Sequence, residues 1–321
     1  MDRAQYDNVK KERDFLMTRI LVVGASGQVA HALDAGCPEG VALRLTSRQD
    51  LDLLDLDGLT ARFEALMDAF NPHFVINAAA YTAVDRAQSE PADALAVNAT
   101  APGILARVCG GVNCPILHYS TDYVFDGTKD TPYCEDDLTR PLSVYGSSKL
   151  EGERAILAAN RKSLILRTSW VYSAHGGNFL KTMLRLASER DALSVVNDQF
   201  GTPTSADLIA RVSFQVINAM LAQGAHHDDP RWGLYHLTAS GSTSWHGYAS
   251  YLIAKARQMG FPVRVHQDNI RPVGSDQFPT VAVRPTNSRL STQKICTTFG
   301  LTLPEWKEGV DAVLGKLACG S

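Results

Sequence analysis

Tyr145 and Lys149 stand four residues apart in Tyr-Gly-Ser-Ser-Lys. Four residues is about one helical turn, so a helix there brings phenol and ammonium to one side. A free phenol, with a pKa of about 10, is a slow acid–base catalyst at neutral pH. A neighbouring ammonium favours the phenolate and is expected to lower the Tyr145 pKa. Such a pair suits carbonyl reduction: Tyr145 gives a proton to oxygen while a bound cofactor delivers hydride to carbon. The spacing alone is a weak signal. It gains weight from Ser120-Thr121-Asp122, directly after the apolar run 115–119. Ligands of open α/β sheets bind beyond the carboxyl ends of strands, so Thr121 and Asp122 are expected in the same crevice. There the Thr121 hydroxyl can bond the substrate oxygen and assist Tyr145. A plain helix cap or turn at 120–122 is the alternative.

The elements that must position these residues follow from the apolar periodicity. Strands are expected at 20–23, 41–45, 74–77, 115–119 and 164–168, and helices from 29, at 59–70, 92–108 and 145–160. That alternation predicts an α/β fold with a doubly wound, Rossmann-like parallel sheet. After Trp170 glycines, prolines and short apolar pieces dominate, with helices expected at 178–188, 206–221 and 244–259. This reads as a smaller, mainly C-terminal lobe. Residues 17–170 are expected to form the dinucleotide-binding domain, with a returning segment near 200–225. The lobe would take 171–199 and 226–315, and 1–16 would be a flexible extension.

The first strand runs into Gly24-Ala25-Ser26-Gly27-Gln28-Val29-Ala30. Glycine at Gly24 and Gly27 lets the chain turn sharply and approach a pyrophosphate, which then sits on helix N-terminal amides near Ser26. A merely steric turn is the alternative; position at the first βα unit favours the cofactor. After the second strand stands Thr46-Ser47-Arg48, with no carboxylate in the place that would bind NAD ribose hydroxyls. These three residues could together hold a 2′-phosphate, so NADPH is favoured and NADH stays open. A solvated Arg48 is the alternative.

The chain has 321 residues, 45% of them hydrophobic and 20% charged, with a net charge of -3. This globular composition gives no reason to expect nucleic acid or a membrane surface as partner. No run of about 18 apolar residues occurs, and the six cysteines lack C-x-x-C spacing, so reduced thiols and a cytoplasmic location are expected. No metal site is expected either: His226-His227-Asp228-Asp229 reads as a polar loop.

With the motifs NAAAYTAVD (77–85), HYSTDYVF (118–125), RTSWVY (167–172), NDQFGTPT (197–204) and RPTNSRL (284–290), the chain from about 18 to 314 resembles the dTDP-4-dehydrorhamnose reductases, a family of extended short-chain dehydrogenases. The resemblance implies NAD(P)H-dependent reduction of the C4 keto group of dTDP-4-dehydro-L-rhamnose, with a dTDP-linked 4-keto-6-deoxysugar as partner. It implies pyrophosphate contacts at Gly27, Gln28 and Val29, and Asp52 and Leu53 beside the adenine. Ala80, Tyr81, Thr82 and Tyr119 would lie along the cofactor, with Lys149 on the nicotinamide ribose. Thr121, Asp122 and Trp170 would meet the sugar, Tyr145 would donate the proton, and Asn178 and Arg284 would serve the nucleotide side. Duller readings stand beside these: Asp52 and Asn178 as helix caps, Trp170 as core, Arg284 in a structural ion pair, Tyr81 and Thr82 as loop residues. Some relatives hold Mg2+ at a homodimer contact through an acidic residue of the first helix; Ala32 stands there instead, which leaves both metal and homodimer open. Reduction of another dTDP-deoxysugar is a second reading. A third is a non-catalytic subunit like the β subunit of methionine adenosyltransferase.

Overall fold

In the computed structural model, which describes residues 17–222, 224 and 226–319, six parallel strands form the central sheet. They are β1 (Thr18–Val23), β2 (Val41–Thr46), β3 (Phe74–Asn77), β4 (Ile116–Thr121), β5 (Ser163–Thr168) and β6 (Gly233–His236). Their order is β6-β5-β4-β3-β1-β2. A parallel sheet is covered on both faces, which is why its strands read as continuous apolar runs. Along β1 the side chains alternate between two apolar clusters: Ile20 and Val22 point into one, Leu21 and Val23 into the other. The doubly wound expectation is met. The expected extension at 1–16 lies outside the described residues.

Helix α1 (Gln28–Ala35) follows β1 and covers the first face, where the later helix 206–222 packs against it. Helix α2 (Leu56–Phe70) covers the second face with Leu59, Phe63 and Met67, spaced four apart on one stripe. Asp55 caps its start by accepting from the Gly58 N–H, and Asn71 ends it in the left-handed conformation. On the same face lie α3 (Ala101–Gly111) and α4 (Val144–Ala159). The crossover direction reverses between β1 and β3, and a crevice opens there beyond the strand ends.

Two glycines bring α4 against that crevice. A Cβ at Gly146 would meet the Tyr123 carbonyl oxygen at 2.2 Å, and one at Gly152 would meet that of Asn98 at 2.0 Å. Only bare backbone fits at both contacts, so the helix carrying Tyr145 and Lys149 lies hard against the turn after β4.

The later part of the chain supplies α5 (Phe179–Glu189), α6 (Ala206–Ala222), α7 (Trp245–Gln258) and α8 (Trp306–Cys319). The segment 233–236, assigned from sequence to the lobe, instead pairs in parallel with β5 as the sixth strand; this corrects the sequence reading. Leu180, Leu252 and Val313 of the lobe belong to the same apolar cluster as Ile20 and Val22.

Candidate active site

A cleft of about 1000 Å³ runs across the carboxyl ends of the strands. It gathers nearly every residue singled out from sequence. Gly24, Ser26, Gly27, Gln28, Val29, Arg48, Asp52 and Leu53 line one end; Ala80, Tyr81, Thr82 and Tyr119 the middle; Thr121, Asp122, Tyr145, Lys149, Trp170 and Asn178 the rest.

At the first end Gly24 takes φ +97, and a Cβ there would stand 3.0 Å from the Ala79 nitrogen. Glycine is required for both reasons. Gly27 is the N-cap of α1 and has no side chain to cap it, and no acidic residue occupies the first turn. The helix therefore opens on the cleft with unshielded N–H donors, and this cradle fits a dinucleotide pyrophosphate. Gln28 lies in that first turn, but its Oε1 accepts from Ser173 Oγ at 3.1 Å and from Asn178 Nδ2 at 2.8 Å.

The expected trio at the end of β2 does not act as one group. Thr46 is buried and donates to the Val22 carbonyl, while the Ser47 backbone and hydroxyl both donate to Asp50 at 2.7 Å. Only Arg48 keeps a cation facing the cleft, and its Nε donates to Asp52 at 3.2 Å. Asp52 is thus not a helix cap. It accepts from the Leu54 N–H, which with Arg48 holds its carboxyl below the usual range.

At the chemical end, Ser143 caps α4 by accepting from the Gly146 N–H at 3.2 Å, which sets Tyr145 in the first turn. The Tyr145 ring is half-buried in the cleft wall. Desolvation pushes its phenol up to about 12, while a hydrogen bond with Thr121 pulls the other way. Thr121 Oγ1 also donates to Asp122 Oδ1 at 3.0 Å. Asp122 is buried, its Oδ2 has no partner, and burial raises its carboxyl to about 6.

Lys149 corrects the sequence reading. It does not bond the phenol: its buried Nζ donates to the Tyr119 carbonyl at 2.6 Å and lies 3.0 Å from His118 Nε2. Burial brings the Lys149 amine down to about 7, with Glu153 opposing, and the expected lowering of Tyr145 does not appear. Glu153 itself is paired with Arg167 at 2.6 Å and accepts from Ser120 Oγ.

Trp170 carries φ +49, a conformation that costs a large side chain about 1–3 kcal/mol. Its ring is held by a stack on Trp245, with centroids 3.6 Å apart at 10°. Gly201 gives the ring room, since a Cβ there would stand 2.5 Å from it. Trp245, Phe179 and Tyr248 extend this aromatic wall of the cleft, and none was singled out from sequence. Their signal was ordinary apolar patterning, which does not separate a cleft wall from a core.

Two other expectations need correction. Arg284 does not line the cleft: its Nη2 pairs with Asp85 at 2.8 Å, the structural ion pair named as its alternative. Asn178 lines the cleft but its amide is engaged, with Oδ1 capping α5 at the Lys181 N–H and Nδ2 donating to Gln28 and Ser173. As for magnesium, Ala32 offers a buried methyl where the ion would need a carboxylate. An alkyl side chain supplies no oxygen ligand, so this position does not fit the ion.

A glycine turn at the switch point of a parallel sheet, facing a Tyr-x-x-x-Lys helix across one cleft, defines a dinucleotide-dependent reductase of the extended short-chain class. A family profile described as RmlD substrate binding domain matches residues 17–319. The dTDP-4-dehydrorhamnose reductase of Sinorhizobium fredii is 44% identical over 291 residues, 90% of this chain and 94% of that one. That of Escherichia coli K12 is 43% identical over 302 residues, covering 93% and 97%. Among solved structures, the Clostridium acetobutylicum reductase aligns with a TM-score of 0.82 at 36% identity, covering 93% of this chain and 99% of that one. The Bacillus anthracis reductase, in complex with NADP, aligns at 0.80 and 30% identity, covering 94% and 99%. The chain belongs to the dTDP-4-dehydrorhamnose reductase family.

Proposed function

We propose that this chain reduces the C4 keto group of dTDP-4-dehydro-L-rhamnose to dTDP-L-rhamnose, with NADPH preferred and NADH accepted. The observation that carries the reading is the Tyr145 phenol in the first turn of α4, lining the same cleft as Thr121 at the end of β4 and the glycine turn. The dinucleotide supplies hydride when bound; the first turn of α1 would hold its pyrophosphate and Arg48 its 2′-phosphate. Tyr145 is fully protonated at neutral pH and is therefore a proton donor to the oxygen that becomes the hydroxyl. Thr121 orients that phenol. Asp122 offers an acceptor for a sugar hydroxyl, and the Trp170 wall gives the sugar an apolar face. Lys149 would serve the ribose hydroxyls of the bound dinucleotide. All six cysteines are unpaired, which suits a reducing compartment, and we place the reaction in the cytoplasm.

The test is loss of NADPH and NADH absorbance with dTDP-4-dehydrorhamnose. Turnover with this sugar supports the reading. Turnover only with another dTDP-4-keto sugar would reassign the substrate, and no oxidation with any would leave a binding protein.

A further inference from the structure

Lys149 sits at the end of a hydrogen-bond chain whose direction is fixed. The Ala79 N–H can only donate, and it donates to Asn77 Oδ1 at 3.2 Å. The Asn77 amide is thereby oriented, and its Nδ2 faces His118 Nδ1 at 3.0 Å. An amide nitrogen donates, so Nδ1 must accept and the imidazole carries its hydrogen on Nε2. That Nε2–H points at Lys149 Nζ, 3.0 Å away. An ammonium has no lone pair to receive it; a neutral amine has one. All of these side chains are buried, so no bulk water relieves a mismatch.

We propose that Asn77 and His118 are positioning residues that hold Lys149 as a neutral amine in the protein alone, so that dinucleotide binding draws a proton onto Nζ. This rests on the reductase reading. The step balances simply: the Nζ lone pair takes a proton from solvent, and the resulting ammonium donates to the Tyr119 carbonyl and to ribose hydroxyls entering the cleft. Protonation also breaks the bond from His118 Nε2–H, which releases the amine toward the cleft.

The groups facing Lys149 agree with this. On its own helix are Tyr145, a neutral phenol, and Glu153, whose charge is matched by Arg167 of β5. From β4 come His118 and Tyr119; burial holds the imidazole neutral and pushes the Tyr119 phenol up. The remaining contact, Asn77 of β3, is uncharged. Desolvation thus outweighs the one nearby carboxylate, and the amine falls to about 7.

The experiment is a proton count. NADH or NADPH is added to the protein in weakly buffered solution at pH 8 with an indicator dye, and binding is followed separately by nucleotide fluorescence. About one proton is expected to be taken up per site. Lys149→Met should abolish the uptake. Asn77→Asp keeps an acceptor for Ala79 but lets His118 carry its hydrogen on Nδ1, turning a lone pair to Nζ beside a new negative charge. The amine should then rise by about one unit or more, and about half or more of the uptake at pH 8 should disappear. Binding without uptake, equal uptake in Lys149→Met, or unchanged uptake in Asn77→Asp overturns the proposal. Should Asn77→Asp unfold, the wild type against Lys149→Met still decides whether the amine is neutral. Absence of binding would instead overturn the reductase reading on which it rests.

Discussion

Single residues set the chemistry, and their environments give each a measurable consequence. Tyr145→Phe removes the donated proton but leaves the ring and the cleft. Turnover should fall by about two to four orders of magnitude while dinucleotide affinity, read by fluorescence titration, stays nearly constant. Arg48→Ala should weaken NADPH more than NADH, because Arg48 is the one cation left at the end of β2 after Thr46 and Ser47 are committed elsewhere. Equal losses would remove its phosphate role. Asp122 has a pH signature. Its carboxyl is raised from 3.8 to about 6, so its favourable contribution is full below the unfolded value and is lost as pH rises through about 6. Asp122→Asn should therefore gain about 2.4 kcal/mol relative to the wild type between pH 4 and pH 7.5, measured by urea unfolding. At this scale the sequence made Tyr145, Thr121 and Asp122 legible, since spacing and strand ends are local features. The bond from Lys149 to His118 was not, because the two lie 31 residues apart and meet only when α4 packs on β4.

Elements hold these residues in place, and α4 is the one on which most contacts converge. Gly146 and Gly152 let it approach, while the Glu153–Arg167 pair, with side chains 3% and 4% exposed, fastens it to β5. Removing one member leaves an uncompensated buried charge, so Arg167→Met should cost about 3–5 kcal/mol in denaturant unfolding. Glu153→Leu combined with Arg167→Met should recover much of that loss. If the double variant were no better than the single, the pair itself would be stabilising rather than merely matched. The alternation of β1 to β5 with their helices could be read directly, because strands covered on both faces carry unbroken apolar runs. Strand β6 escaped that reading. Gly-Leu-Tyr-His has no such run, and it becomes a strand through its register with Leu164 to Arg167 of β5. The tertiary neighbour, not the local pattern, makes it one.

The whole molecule is less divided than its rhythm of residues suggests, since the lobe and one sheet face share a continuous apolar cluster. One of the polar contacts between them is made at Gln28, which accepts from both Ser173 and Asn178. Gln28→Ala should leave the global unfolding midpoint nearly unchanged while speeding amide hydrogen exchange across 173–181. Unaltered exchange there would show that the Gln28 bonds do not hold that segment. The shared cluster was illegible because periodicity tells which residues are apolar, not which distant partners they join. The stack of Trp170 on Trp245 has a last consequence of a different kind. Two indoles with centroids 3.6 Å apart and nearly parallel rings are electronically coupled chromophores. They should give the protein a split near-ultraviolet circular-dichroism band, lost in Trp245→Leu, and a built-in optical signal for whatever comes to lie against that wall.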